Sequence, residues 1–158
     1  MTRLRGRAPR GARCPASAPC GHWKTTTMIS SIRLDGTTAC MTIGGATDTE
    51  VFRAYVTEVL CPTLRPGDLV VMDNLAPHKS DPTLELIRAA AGAQVLFLPA
   101  YSPDLNPIEK MWSKVKESLR SAKARTQSDL IQAIACALAK VTPQDALHWF
   151  ASCGYSFI

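Results

Sequence analysis

The spacing of apolar residues changes period several times along the chain, and each change marks an element. Residues 24–34, KTTTMISSIRL, and 37–45, TTACMTIGG, are rich in β-branched side chains and predict two strands. Asp35-Gly36 between them tolerates positive φ, so the pair reads as an antiparallel hairpin. A helical period follows from about Asp48 to Leu60, with Thr47 or Asp48 as cap and Phe52, Tyr55, Val56 and Val59 on one face. Pro62 and RPGD end it. LVVMD, residues 69–73, is a short continuous apolar run of the sort buried on both faces of a parallel sheet.

Asp81 as cap and Pro82 in the first turn predict a second helix carrying Leu84, Ile87 and Ala91, stopped by Gly92. QVLFL, residues 94–98, is a second buried strand, and strand, helix and strand in so short a span make a right-handed βαβ unit. From Pro107 to about Lys123 a long helix sets Ile108, Met111, Trp112, Val115 and Leu119 on one stripe. Thr126 and Thr142 cap two more helices, the last carrying Trp149 and Phe150 and ending near Gly154. The order ββ-α-β-α-β-ααα is a mixed α/β domain with a helical tail. Residues 1–22 are basic, Gly/Pro-rich and without period, which sets them apart from 23–158.

Composition refines this little. At 158 residues the chain suits one domain able to build a core without staples, and no apolar run approaches the roughly 18 residues of a membrane span, so a soluble protein with no membrane partner is expected. The six cysteines show no C-x-x-C pair; Cys14, Cys20 and His22 cluster in poor zinc geometry, and reduced thiols in a cytoplasmic protein are expected. The arginine-rich start has the charge of a transit peptide, but Gly6, Pro9 and Gly11 oppose an amphipathic helix there, and it lacks the apolar core of a secretion signal.

Charge is more informative because it is uneven. Residues 1–34 hold seven Arg and Lys and no acid, and residues 109–125 hold six bases against two acids. Basic flanks about a near-neutral middle suit a polyanion such as nucleic acid; a solvated face with a loose tail would read the same way.

In an open α/β sheet ligands gather at the carboxyl ends of parallel strands. Asp73 ends one such strand, and Glu109 opens the helix leaving its neighbour. Paired carboxylates there can hold Mg²⁺, and two such ions would activate a water or 3′ hydroxyl and stabilise the leaving oxygen of a phosphodiester. Each acid also has a plainer reading. Asp73 could cap its own turn with Asn74, and Glu109 stands three residues after Asn106, where a capping-box glutamate belongs. His78 and Lys79 lie in the loop after Asp73, where a lone histidine is more often surface than ligand.

VVMDNLAPHKS followed by LFLPAYSPDLNPIEKMWSKVK resembles the catalytic domain of bacterial insertion-sequence transposases related to the mariner superfamily. GHWKTTTMI and the closing GY are similar too, so the resemblance spans nearly the whole chain. It implies a D-D-E triad on a ribonuclease H-like mixed sheet flanked by helices. Asp73 matches the second acid and Glu109 the third, with 35 residues between them. Asn74 and His78 would line the site, with Mg²⁺, or Mn²⁺ in its place, as cofactor. DNA would be the partner, contacted at phosphates by Lys110, Lys114, Lys116, Arg120, Lys123 and Arg125.

The resemblance also implies a loss. The family's first acid lies on a strand upstream of a segment similar to RLRGRAPRG, which here begins directly after Met1, so the first strand and its aspartate are expected to be missing. Asp35 and Asp48 read as turn and cap residues rather than substitutes. Two sheet edges would then stay open unless residues 12–18 fill in, and poor solubility of the isolated chain is expected. The family's helix-turn-helix has no match here either. The expected molecule is a truncated transposase of bacterial cytoplasm, nucleoid-associated on DNA, inactive alone and able to self-associate or mix with full-length transposase. A non-catalytic DNA-binding or inhibitory fragment is the competing reading, and a metal-dependent nuclease of the same fold the third.

Overall fold

In the computed structural model, which describes residues 5–16 and 24–156, the elements follow the predicted order. The chain divides into two compact units, residues 24–111 with 141–158, and residues 112–140 with the described part of the first 23.

The larger unit holds the four strands found among the described residues. Strands β1 (Thr26–Ile32) and β2 (Thr38–Gly44) pair antiparallel, Ile32 opposite Thr38 and Thr26 opposite Gly44. Of the turn pair, Gly36 alone takes positive φ, at 83°; Asp35 instead accepts a hydrogen bond from the Thr37 N–H at 2.9 Å. A glycine is required at position 36 on packing grounds as well, because an added Cβ would lie 2.8 Å from the backbone nitrogen of Pro143.

Helix α1 (Thr49–Tyr55) is capped by Asp48, whose carboxylate accepts from the Val51 N–H at 2.8 Å, so of the two candidate caps Asp48 is the one used. The helical run widens to a π turn over Val56–Leu60 and closes in a 3₁₀ turn at Cys61–Thr63. That widening rotates Leu60, rather than Val59, into the fully buried set with Phe52, Tyr55 and Val56.

Strands β3 (Leu69–Met72) and β4 (Gln94–Phe97) pair parallel in the register Val70 to Val95, joined by α2 (Asp81–Ala89). Two expectations fail here. The strands are not buried on both faces, since Leu69 is 53% and Leu96 50% exposed; core residues cover one face only. The cap of α2 is Ser80 rather than Asp81, which occupies the first turn beside Pro82. Ala91, expected on the buried face, lies beyond the helix end with φ 57°, followed by Gly92 at 66°; Leu84 and Ile87 carry the packing. The core joins α1, its π extension, α2 and the strand pair through Phe52, Tyr55, Val56, Leu60, Met72, Leu84, Ile87 and Ala93.

The four strands form two separate two-stranded sheets, not the single mixed sheet expected. Among the described residues no strand joins β1 to β3, and residues 12–16 form none. The sheets are bridged instead by side chains: Arg33, just after β1, forks onto Asp68, just before β3, with nitrogen to oxygen distances of 2.6 and 2.7 Å.

Helix α3 (Pro107–Ala122) begins in this unit with Met111 fully buried. Helix α5 (Pro143–Ser152) starts with a complete capping box between Thr142 and Asp145. It ends at Gly154, φ 86°, where the reversal lets the Tyr155 hydroxyl donate to the Leu105 carbonyl at 3.1 Å.

In the smaller unit the rest of α3 buries Val115 and Leu119, and α4 (Gln127–Leu138) buries Ile134 and Ala137 behind a Thr126–Asp129 capping box. Lys114 donates to the Lys140 carbonyl at 2.8 Å, tying the two helices together. The five described cysteines form no disulfides; Cys20 and His22, two of the three residues of the sequence cluster, lie outside the described residues. Among the described residues no helix is long and apolar enough to cross a membrane.

Candidate active site

Met72 closes β3 and Phe97 closes β4, so the two chains leave the parallel pair side by side at its carboxyl end. The ladder is extended one step by the Leu98 N–H, which donates to the Met72 carbonyl at 2.8 Å. The Asn74 side-chain amide donates to the Leu98 carbonyl, so Leu98 is gripped through both of its backbone polar groups. That double grip sets where the loop toward α3 begins.

The loop is stiff for identifiable reasons. Pro99, Pro103 and Pro107 each fix φ, and a 3₁₀ turn over Pro103–Leu105 carries the chain to Asn106. Ser102 Oγ bonds the Ala100 carbonyl at 3.3 Å, and Tyr155 holds Leu105 from behind. Pro107 at the first helical position needs no donor.

Asp73 and Glu109 line one cleft of about 430 Å³, whose walls include Asn74, Lys79, Tyr101 and Asn106. The two acids are not equivalent. Asp73 accepts from the Leu75 N–H at 3.3 Å, a weak local turn of the plainer sort considered above. Its Oδ1 also lies 2.7 Å from His78 Nδ1. That contact has the distance of an ion pair, yet the nitrogen is not aligned as a hydrogen-bond donor. The imidazole is held in place by Phe52, ring centroids 4.2 Å apart.

Glu109 is different. The Asn106 N–H, which a capping-box glutamate would accept, donates to the Pro103 carbonyl at 3.1 Å. Among the described residues the exposed Glu109 carboxylate has no hydrogen-bond or ion-pair partner. A carboxylate left unpaired on a rigid helix start beside a second carboxylate is an all-oxygen donor pair of the kind hard divalent cations accept, with water or phosphate completing the shell. Two carboxylates lining one cleft are oxygen donors of the kind a divalent cation accepts, although among the described residues no group of three or more His, Cys, Asp and Glu is placed to hold one.

The other predicted residues fall as follows. Asn74 and the acids line the cleft; His78 stands behind Asp73 rather than on the cleft wall. Lys110 is exposed beside Glu109 at the start of α3. In the smaller unit Lys116, Lys123 and Arg125 are exposed and Arg120 half-buried, one helical turn beyond Lys116, while Lys114 is committed to the Lys140 carbonyl. The sequence pattern assigns no site role to Tyr101, and it places Phe52 only on the packed face of the first helix. Phe52 lies 26 residues from His78 and no local pattern joins them. Tyr101 did carry a signal, an aromatic between prolines in an otherwise polar loop.

An α/β unit presenting two carboxylates in a cleft at the carboxyl end of a parallel strand pair has the layout of a metal-dependent phosphodiester-cleaving enzyme. The family model for "DDE superfamily endonuclease" matches residues 1–131, and the chain belongs to that family. Its mixed α/β fold is compatible with a ribonuclease H-like domain, and its family membership implies DNA as substrate and a divalent metal in catalysis. No curated protein matches the chain.

Proposed function

We propose that this chain is part of the catalytic domain of an insertion-sequence transposase of the mariner-related group, with Asp73 and Glu109 as the second and third acids of a D-D-E set. The observation that carries this is the shared cleft of the two carboxylates, with Glu109 left unpaired. The two residues would hold Mg²⁺, or Mn²⁺ in its place; bound there, the metal would activate the attacking oxygen and stabilise the leaving one. The chain's own part is positional. Asn74 fixes the loop and the prolines keep Glu109 from swinging away, while the His78 ring stands close behind Asp73.

Lys110, Lys116, Arg120, Lys123 and Arg125 supply the phosphate contacts of this reading, and Lys114 is better assigned to packing. Five such contacts imply that DNA affinity falls about 500-fold between 50 and 200 mM salt. The place of action would be bacterial cytoplasm, on DNA.

Because only two acids line the cleft among the described residues, the second reading is an incomplete triad. The chain would then bind DNA without cutting it, or inhibit full-length transposase by mixed assembly. The test is titration of Mg²⁺ or Mn²⁺ by calorimetry, with plasmid nicking in parallel. Either Asp73→Asn or Glu109→Gln should weaken metal binding at least tenfold and remove any nicking the native chain shows. Metal affinity and nicking that both survive the two changes would sink the assignment. A DNA shift with no nicking by the native chain would select the second reading.

A further inference from the structure

Tyr101 is the most exposed large hydrophobic side chain among the described residues, at 102% of the reference accessibility, and its backbone is left-handed, φ 57°. Neither feature is explained by packing. A ring that touches nothing gains no burial energy, and a left-handed position favours Gly or Asn over any aromatic residue. The residue is nonetheless held firmly. Pro99 and Pro103 flank it, Leu98 is anchored on one side through Met72 and Asn74, and Leu105 on the other through Tyr155. The ring therefore stands on the rim of the cleft that Asp73 and Glu109 line, with the exposed Lys79 among the same walls.

We propose that Tyr101 is a stacking platform for an unpaired nucleobase at the end of the DNA strand being processed. This rests on the reading of the cleft as a DNA site. An aromatic face is apolar and polarisable, matches the face of any base, and is fixed by few torsions, so little freedom is lost on stacking. In a closed duplex the bases already stack on each other, and only an unpaired or extruded nucleotide offers a free face. A phosphate brought to the two carboxylates by a divalent cation they would hold, with its neighbouring nucleotide on Tyr101, would place chemistry and stacking on one side of one loop. The strained backbone is the local cost of turning the ring outward.

The probe is a 20-base-pair duplex with two unpaired 3′ nucleotides, one of them 2-aminopurine, compared with a blunt duplex of equal length. Binding of the full chain is followed by anisotropy and stacking by quenching of the 2-aminopurine. The native chain should prefer the frayed duplex about tenfold and quench the probe. Tyr101→Ala should remove both preference and quenching while blunt-duplex affinity stays within about twofold; Tyr101→Phe should retain both. Tyr101→Gly, which relieves the left-handed strain, should melt no lower than the native chain and still lose the preference. A preference that survives Tyr101→Ala, or a native chain that binds DNA with no preference, overturns the stacking role alone. A native chain that binds neither duplex overturns the DNA-site reading with it. Loss of self-association in Tyr101→Ala with DNA binding unchanged would assign the ring to a protein interface and likewise overturn the proposal.

Discussion

The Arg33–Asp68 pair is the point at which the fold is most open to quantitative attack. Arg33 follows the hairpin strand, Asp68 precedes β3, and their two-pronged contact spans sheets that share no backbone ladder. The Arg33 hydrogen bond, helped by the Arg65 N–H and by both positive charges, holds the Asp68 carboxyl at about 2, against an ordinary 3.8. A difference of that size corresponds to a ceiling of about 2.4 kcal/mol. The side chains are 23% and 18% exposed, so water screens part of this, and about 1.5 kcal/mol is the better figure.

Because the folded-state value is depressed, the contribution is complete above pH 4 and is lost as pH falls through 2; roughly half should remain at pH 3. Asp68→Asn should therefore lower stability by about 1.5 kcal/mol at pH 7, near 4 °C in melting temperature, with the gap to the native chain closing on acidification. Urea unfolding at pH 7, 4 and 3 reads this directly. A gap of the same size at pH 7 and pH 3, or one below about 0.5 kcal/mol at pH 7, would show that the bridge does not hold the sheets.

Two stability predictions join the binding and nicking tests. Ile87→Ala removes a side chain with no exposed surface from between α2 and the strand pair, and should cost about 3 kcal/mol by chemical denaturation with an unchanged slope. Gly36→Ala should cost at least about 2 kcal/mol, since it combines left-handed backbone with a Cβ approaching the Thr142–Pro143 backbone; a melting temperature equal to the native one would disprove that close approach.

What the linear chain determined was mostly local. Helix caps at Thr126 and Thr142, the helix at Pro107 and the strands LVVM and QVLF follow from hydrogen-bond and torsional preferences within a few residues, and these are present as read, with the caps completed as capping boxes. The candidate site was legible as two acids at strand and helix ends, because the carboxyl end of a parallel pair is a topological consequence of strand, helix, strand. Tertiary structure decided the rest. Whether Glu109 caps its helix depends on where the Asn106 N–H goes, and that was settled by the 3₁₀ turn at Pro103. Whether apolar strands are covered on both faces depends on what packs against them, and Leu69 and Leu96 remain open. Asp73 meets His78 because Phe52, from another helix, supports the ring. The Phe52–His78 contact joins residues 26 apart in sequence, where no periodicity can encode it and only the closing of the chain brings them within reach.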